Sequence, residues 1–253
     1  MQNIIVVVPC YNEAERFNAQ RFASAAQSDP NLSFLLVDDG SRDATRSILQ
    51  RLSEQLPAQI SVLGLDQNSG KAEAVRRGLQ AAFERSPALV GYFDADLATP
   101  LEELGPMRAL FEEGPELQAV LGSRVGLLGR DVVRKPARHY LGRIFASVAS
   151  VLLDLNVYDT QCGAKLFRNS AAVRDIFAEP FNVSWTFDVE VLARLAKLAR
   201  EGTIAPLARS AMEYPLRHWR DVSGSKLKPS AALKAGAELA TLYLKYGNKY
   251  GRK

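Results

Sequence analysis

Cysteine and histidine are scarce in this chain of 253 residues, which has two of each. Cys10 and Cys162 lie far apart and form no CxxC spacing. That argues against a disulfide framework or a thiolate zinc site and fits a reducing compartment. Neither GxGxxG nor GxxxxGK[ST] occurs, which disfavours dinucleotide and P-loop chemistry; NSGK (Asn68–Lys71) lacks the required spacing. The longest apolar run, Ile144–Leu153, is too short to span a bilayer. The start, MQNIIVVVPC, has no basic region or small-residue cleavage site, so it is read as a strand and not a signal peptide. Repeats, low-complexity tracts and linker compositions are missing too. The simplest organisation is one domain, 1–222, with a basic amphipathic helical extension, 223–253.

The net charge of +4 is mild but unevenly placed. Arg124, Arg130, Arg134, Lys135, Arg138 and Arg143 face a single acid, Asp131, and seven basic residues between Lys226 and Lys253 face only Glu238. Either cluster is a solvated face or the contact for an anionic partner: phosphate, nucleic acid or acidic lipid. Nucleic acid fits poorly, because aromatic platforms and recognised modules are missing and paired acids repel phosphate.

Short β-branched runs alternate with helical patterns through the first half. Strands are expected at Ile4–Val8 (ending at Pro9), Phe34–Asp39, Ile60–Leu65 and Ala88–Asp94, with helices near 13–27, 43–55 and 72–84. Such alternation of apolar strands and helices predicts a mostly parallel α/β sheet covered on both faces. Ligands bind such sheets at the carboxyl ends of the strands. The polar residues follow that rule: Asn12-Glu13, Asp38-Asp39, Gln67–Lys71, and Asp94 with Asp96. Beyond Arg138 the pattern is less regular, with helices expected at 138–153, 187–200 and 230–246. Polar segments are read at DTQCGAKLFR (159–168) and His218–Lys226.

Asp94-Ala95-Asp96 places two carboxylates at a strand end, a donor set suited to Mg²⁺ or Mn²⁺ bridging a diphosphate. Turn formation or helix capping is the bland alternative. Asp38-Asp39-Gly40-Ser41 sets two acids side by side, and burying both demands donors, which a base edge and a ribose diol would supply. A turn followed by an N-cap is the alternative there, and Asp43 reads as such a cap.

Taken in order, VVVPCYNE, LLVDDGSRD, NSGKAEAVRRG and FDADLATP resemble family 2 glycosyltransferases of the GT-A, Rossmann-like fold. GSR (122–124), DTQCGAKLF (159–167), WTFDVEVL (185–192) and GSKL (224–227) narrow the likeness to polyprenyl- and dolichyl-phosphate hexosyltransferases, glucosyl and mannosyl. The eukaryotic glucosyl enzymes carry a membrane helix ahead of the first strand, where this chain begins directly at the strand. The glycine-rich signature of the sugar nucleotidyltransferases is replaced here by PCYNE.

The resemblance implies roles. Pro9, Tyr11, Glu13, Asp38, Asp39, Lys71, Asp94 and Asp96 would bind the nucleotide sugar, with UDP-glucose favoured and GDP-mannose next. Asp94 and Asp96 would hold the metal. Arg124, Arg138, Arg143 and Gln161 would receive the acceptor phosphate. Asp188, with Arg124 and Asp96, would carry the chemistry; Glu190 shares its segment, and a helix-dipole role is the plain alternative for Asp188. A saccharide or other hydroxyl acceptor, the second reading, would need a base. A phosphate monoester, with a second pKa near ~6, is already largely an anionic nucleophile and needs cationic positioning, which arginine supplies through its planar fork. A lipid phosphate acceptor implies a peripheral site on the cytoplasmic membrane face. The run 144–153 and the last helix, with Leu239, Leu242, Tyr243, Leu244 and Tyr246, offer that contact, or core packing, or a homo-oligomer interface.

Overall fold

A computed structural model of the chain describes residues 2–133, 136–154, 156–221 and 229–247, with side chains from 142 in the fifth helix and from 234 in the ninth. β1 (Ile4–Cys10), β2 (Leu32–Asp38), β3 (Ile60–Gly64) and β4 (Leu89–Phe93) are parallel and alternate with α1 (Ala19–Ser28), α2 (Thr45–Gln55) and α3 (Lys71–Glu84). After a 3-10 turn at Leu101–Glu103 come α4 (Leu104–Glu113), β5 (Ala119–Ser123), β6 (Asp131–Val133) and α5 (Pro136–Leu153). The remainder is β7 (Ala164–Arg168), α6 (Ala171–Ala178), α7 (Phe187–Arg200), α8 (Leu207–Ser210), β8 (Ala211–Pro215), β9 (His218–Arg220) and α9 (Pro229–Tyr246).

The main sheet runs β3-β2-β1-β4-β7-β5-β8, and β6 pairs with β9 in a two-stranded ribbon. β7 is antiparallel to both its neighbours, β4 and β5, while β8 pairs parallel with β5. Strand alternation divides the core. Val7, Val37, Tyr92 and Phe167 face α3, α6, α7 and α9; Val6, Val8, Leu36 and Phe93 face α1, α2 and α4.

The structure differs from the sequence pattern in several places. Pro9 and Cys10 continue β1 and pair with Val37 and Asp38, so the strand does not stop at Pro9. The first helix starts at Ala19, because Asn12 has φ +52° and the Asn18 side chain caps the helix through the Arg21 amide. The segment read as polar, 159–168, contains β7, and the loop expected from His218 opens with β9.

The boundary expected at residue 222 falls outside the described residues. α9 packs on α5 and α7, burying Leu239, Leu242 and Tyr246 in the core and leaving Tyr243 and Leu244 exposed. α5 buries Ala146, Ala149 and Leu153 and exposes Ile144, Val148 and Val151. Among the described residues no helix is long and apolar enough to cross a membrane.

Candidate active site

The parallel strands β1, β2 and β4 end on one edge of the sheet, and so bring Pro9, Tyr11 and Glu13, Asp38 and Asp39, and Asp94 and Asp96 to one rim. Backbone bonds tie the ends together: the Asp39 amide donates to Cys10 O, the Leu65 amide to Asp38 O, and the Asp94 amide to Gly163 O. Tyr11 is exposed and Pro9 half-buried. Glu13 is buried, its backbone amide donates to the Thr45 hydroxyl oxygen at 2.7 Å, and its carboxylate forms a two-pronged ion pair with Arg16. Glu13, with smaller contributions from Asp96 and Asp94, raises the Arg16 pKa against the opposing effect of burial.

Asp38 and Asp39 are both buried, and the protein itself supplies the donors that the sequence reading assigned to a nucleotide. Arg46 Nε donates to Asp38 Oδ2 at 2.7 Å and the Ser41 amide to Oδ1 at 3.2 Å. Asp39 accepts the amides of Ser69 (2.7 Å) and Gly70 (2.9 Å) and the Asn68 side chain, which closes the entrance to α3. Gly40 makes this possible: at φ +67° it packs against the Gln67–Asn68 backbone, where a β-carbon would collide. Burial raises the Asp39 pKa despite its amide donors. Asp43 accepts the Thr45 amide and hydroxyl and the Ala14 amide, a local turn role, while the N-cap of α2 is Ala44 and not Asp43.

Asp94 and Asp96 are half-buried. Asp96 has a raised pKa, first through burial and then through repulsion by Asp94. Lys71 Nζ stands 2.5 Å from Asp94 Oδ1, an oxygen that is buried and accepts no hydrogen bond of good geometry among the described residues. On the other side Gly163 abuts the same carboxylate so closely that a β-carbon there would overlap Asp94 Oδ2. Burial opposes the charge on Lys71, but Asp94, Asp188 and Asp96 together raise its pKa above that of an ordinary lysine. The two carboxylates, one with a buried oxygen that faces only the Lys71 ammonium among the described residues, fit a divalent cation, whose other ligands would be diphosphate oxygens and water. Among the described residues no group of three His, Cys, Asp or Glu side chains forms a self-sufficient metal cage.

Asp188 enters the site from the first turn of α7. Its Oδ1 accepts the Tyr92 hydroxyl and the Lys165 ammonium, the latter at 2.7 Å, and Lys165 also donates to Cys162 O at 2.7 Å. Burial and then the Asp188 charge push the Tyr92 pKa well up. Glu190 does not join Asp188. It turns into the core to bind Arg194, Asn182 and the Tyr246 hydroxyl, a role in packing.

Arg124 forms a fork with Asp159, 2.7 Å from Nε to Oδ2 and 2.8 Å from Nη2 to Oδ1, and lies over the Trp219 ring. Burial works against its charge, yet Asp159 outweighs this and raises the Arg124 pKa, with a further contribution from Asp94. Arg143 stacks on the adjacent Tyr158 ring at 3.6 Å and donates to Tyr158 O. Glu213 on β8 holds the Tyr158 and Asp159 amides, and Asp159 also accepts the half-buried Gln161's amide. The two arginines and Gln161 thus meet at one loop, 158–161. The Arg138 side chain and the GSKL segment lie outside the described residues. Nothing in the sequence singled out Tyr92, Lys165, Arg46 or Asp159, since each acts through a partner eight or more residues along the chain.

A doubly wound sheet with paired carboxylates at its strand ends and arginines across the rim has the architecture of a GT-A glycosyltransferase. Solved structures share the fold. A glucosyl-3-phosphoglycerate synthase from Mycobacterium tuberculosis, in complex with Mn²⁺, UDP and glucosyl-3-phosphoglycerate, superposes with TM-score 0.63 at 19% identity, over 97% of this chain and 80% of that one. A mannosyltransferase from Pyrobaculum calidifontis, in complex with GDP-Man and Mn²⁺, gives 0.61 at 18% identity, over 96% and 64%. Residues 5–174 match the glycosyl transferase family 2 profile. Dolichyl-phosphate beta-glucosyltransferases from Dictyostelium discoideum and Homo sapiens are 32% and 29% identical over 95% and 97% of this chain, covering 74% and 76% of their own lengths. The chain belongs to glycosyl transferase family 2.

Proposed function

We propose that this enzyme transfers glucose from UDP-glucose to a polyprenyl phosphate of the dolichyl type, with inversion at the anomeric carbon. The observation that carries the acceptor class is the convergence of Arg124 and Arg143 on the 158–161 loop, with Arg124 close enough to Asp94 for their charges to interact. A phosphate held there meets a donor anchored at Asp94 and Asp96. The relatives named for glucosyl transfer to dolichyl phosphate support the choice of sugar and lipid.

Tyr11 and Pro9 flank the base, and the internally satisfied Asp38 and Asp39 give that pocket a rigid floor. Asp94 and Asp96 would hold a divalent cation, Mg²⁺ or Mn²⁺, which neutralises charge on a departing nucleoside diphosphate. The arginines orient the lipid phosphate and screen it from the donor's negative charge. One phosphate oxygen attacks the anomeric carbon as the bond from that carbon to the β-phosphate oxygen breaks and its electron pair leaves with UDP. No proton need be removed from the acceptor. Asp188, whose Oδ1 already takes a lysine and a phenol, serves better as a fixed acceptor for a sugar hydroxyl than as a base. A hydroxyl acceptor would need Asp188 to take a proton, so that arrangement favours phosphate.

Membrane contact follows from the lipid. Ile144, Val148 and Val151 form an exposed apolar row one residue beyond Arg143, suited to a peripheral position at the cytoplasmic face. The test is transfer of labelled glucose from UDP-glucose into organic-extractable polyprenyl phosphate, with GDP-mannose and a soluble phosphate acceptor in parallel. Lipid labelling from UDP-glucose alone is expected. Labelling of a hydroxyl acceptor with none of the lipid would overturn the reading.

A further inference from the structure

We infer that Lys71 competes with the divalent cation for Asp94, and that the donor's diphosphate resolves the competition by drawing the ammonium onto its own oxygens, so that metal and nucleotide bind together and not one by one. The inference rests on the metal-assisted donor binding proposed above and adds the order in which that site fills.

Three observations carry it. The Lys71 ammonium stands 2.5 Å from Asp94 Oδ1, a buried oxygen with no well-formed hydrogen bond among the described residues, where a cation is the natural partner. The carboxylate cannot turn away from that ammonium, because Gly163 fills the space on its Oδ2 side and takes the Asp94 amide on its carbonyl. Lys71, by contrast, is the first residue of α3, with a side chain 42% exposed on a four-carbon stem. Of the two partners, only the lysine is free to move.

Charge fixes the direction. A divalent ion entering alone would put two positive charges beside a third, against two carboxylates, and lose affinity to that repulsion. A diphosphate entering alone would meet Asp94 and Asp96 with one lysine between them. Entering together, each charge finds its opposite: the aspartates and the diphosphate face the metal, and Lys71 moves from Asp94 onto the phosphate. Lysine suits the exchange, since its ammonium is a mobile point charge without the fixed fork of arginine.

The experiment is titration of Mn²⁺ into the full chain, with free Mn²⁺ read by electron paramagnetic resonance, in the presence and absence of UDP. Wild type should bind Mn²⁺ at least tenfold more tightly with UDP than without it. Lys71→Met should bind Mn²⁺ alone at least tenfold more tightly than wild type and lose most of the UDP enhancement, whereas Lys71→Arg, which keeps the charge, should bind Mn²⁺ alone as weakly as wild type. Lys71→Gln gives the same readout if the methionine variant does not fold. Equal Mn²⁺ affinity in wild type and the neutral variants without UDP overturns the competition. If wild type binds Mn²⁺ neither alone nor with UDP or GDP, the metal-assisted donor reading itself is lost, a different failure.

Discussion

Tyr92 and Lys165 are register partners on the antiparallel strands β4 and β7, and both donate to the same oxygen of Asp188. Their pairing puts a phenol and an ammonium on one face of the sheet, beneath the first turn of α7. Lys165 is fully buried, so its removal leaves a buried carboxylate without its counter-charge. Lys165→Met should therefore destabilise the fold by ~3–5 kcal/mol, and Tyr92→Phe by ~1–3 kcal/mol, both read by chemical denaturation. In the folded fraction of Tyr92→Phe, kcat should fall more than the affinity for nucleotide. An unchanged kcat would remove Asp188 from the reaction.

Arg124 and Arg143 should act on the acceptor and not on the donor. Truncating either to alanine is expected to lower kcat/KM for polyprenyl phosphate by roughly 10–100-fold, the range for losing a hydrogen bond to a charged group of ~1.5–3 kcal/mol. The KM for UDP-glucose should barely move. Arg124→Lys should rescue only partly, because lysine cannot reproduce the fork on Asp159.

Gly163→Ala tests the wall behind Asp94, the carboxylate proposed to bind the metal. The added methyl overlaps Asp94, and overpacking of this kind costs ~1–3 kcal/mol. A modest fall in melting temperature should come with a marked loss of Mn²⁺ binding in the presence of UDP. Full retention of metal binding would show that Asp94 can relocate.

Glu238 on α9 accepts the Ser184, Trp185 and Thr186 amides at the entrance to α7. Burial alone would raise its pKa, but these donors outweigh it and lower the pKa below the ordinary 4.5. A depressed folded pKa means a stabilising contribution that is present above about 4.5 and lost as the pH falls through the lower value. Glu238→Gln should thus be less stable than wild type at neutral pH, and the gap should narrow in acid. A gap that does not vary with pH would contradict the assignment.

The exposed row on α5 predicts the membrane behaviour. Ile144→Glu with Val151→Glu should reduce co-sedimentation with anionic vesicles by at least ~10-fold, since burying each side chain contributes ~1.5–3 kcal/mol. Mn²⁺ and UDP binding should be unaffected. If sedimentation is unchanged, the row belongs to some other contact.

The rim of aspartates was legible because strand–helix alternation is periodic and the polar residues sit where parallel strands stop. β7 was not, because AKLFR carries a lysine and an arginine that a sequence reader takes for solvent-facing charges. Lys165 is instead neutralised by Asp188, while Arg168 caps the carbonyls of Phe111, Gly114 and Leu117. Asp38 and Asp39 drew attention as two acids in want of donors. The donors come from Arg46 and from the 68–70 loop, pairings that only the folded chain creates. Asp188 and Glu190 look alike on paper, yet the turn of α7 sends one to the rim and the other into the core.

The antiparallel return of β7 has a consequence for how the enzyme matures. A growing chain that has emerged only through residue 96 already carries Asp94, Asp96 and Lys71, but it lacks the glycine that abuts one aspartate and the buried Lys165–Asp188 pair beside it. Those arrive with residues 163, 165 and 188, so a chain that ends before them lacks these contacts. Competence switches on late, when the distal half of the polypeptide threads its strand beside the first.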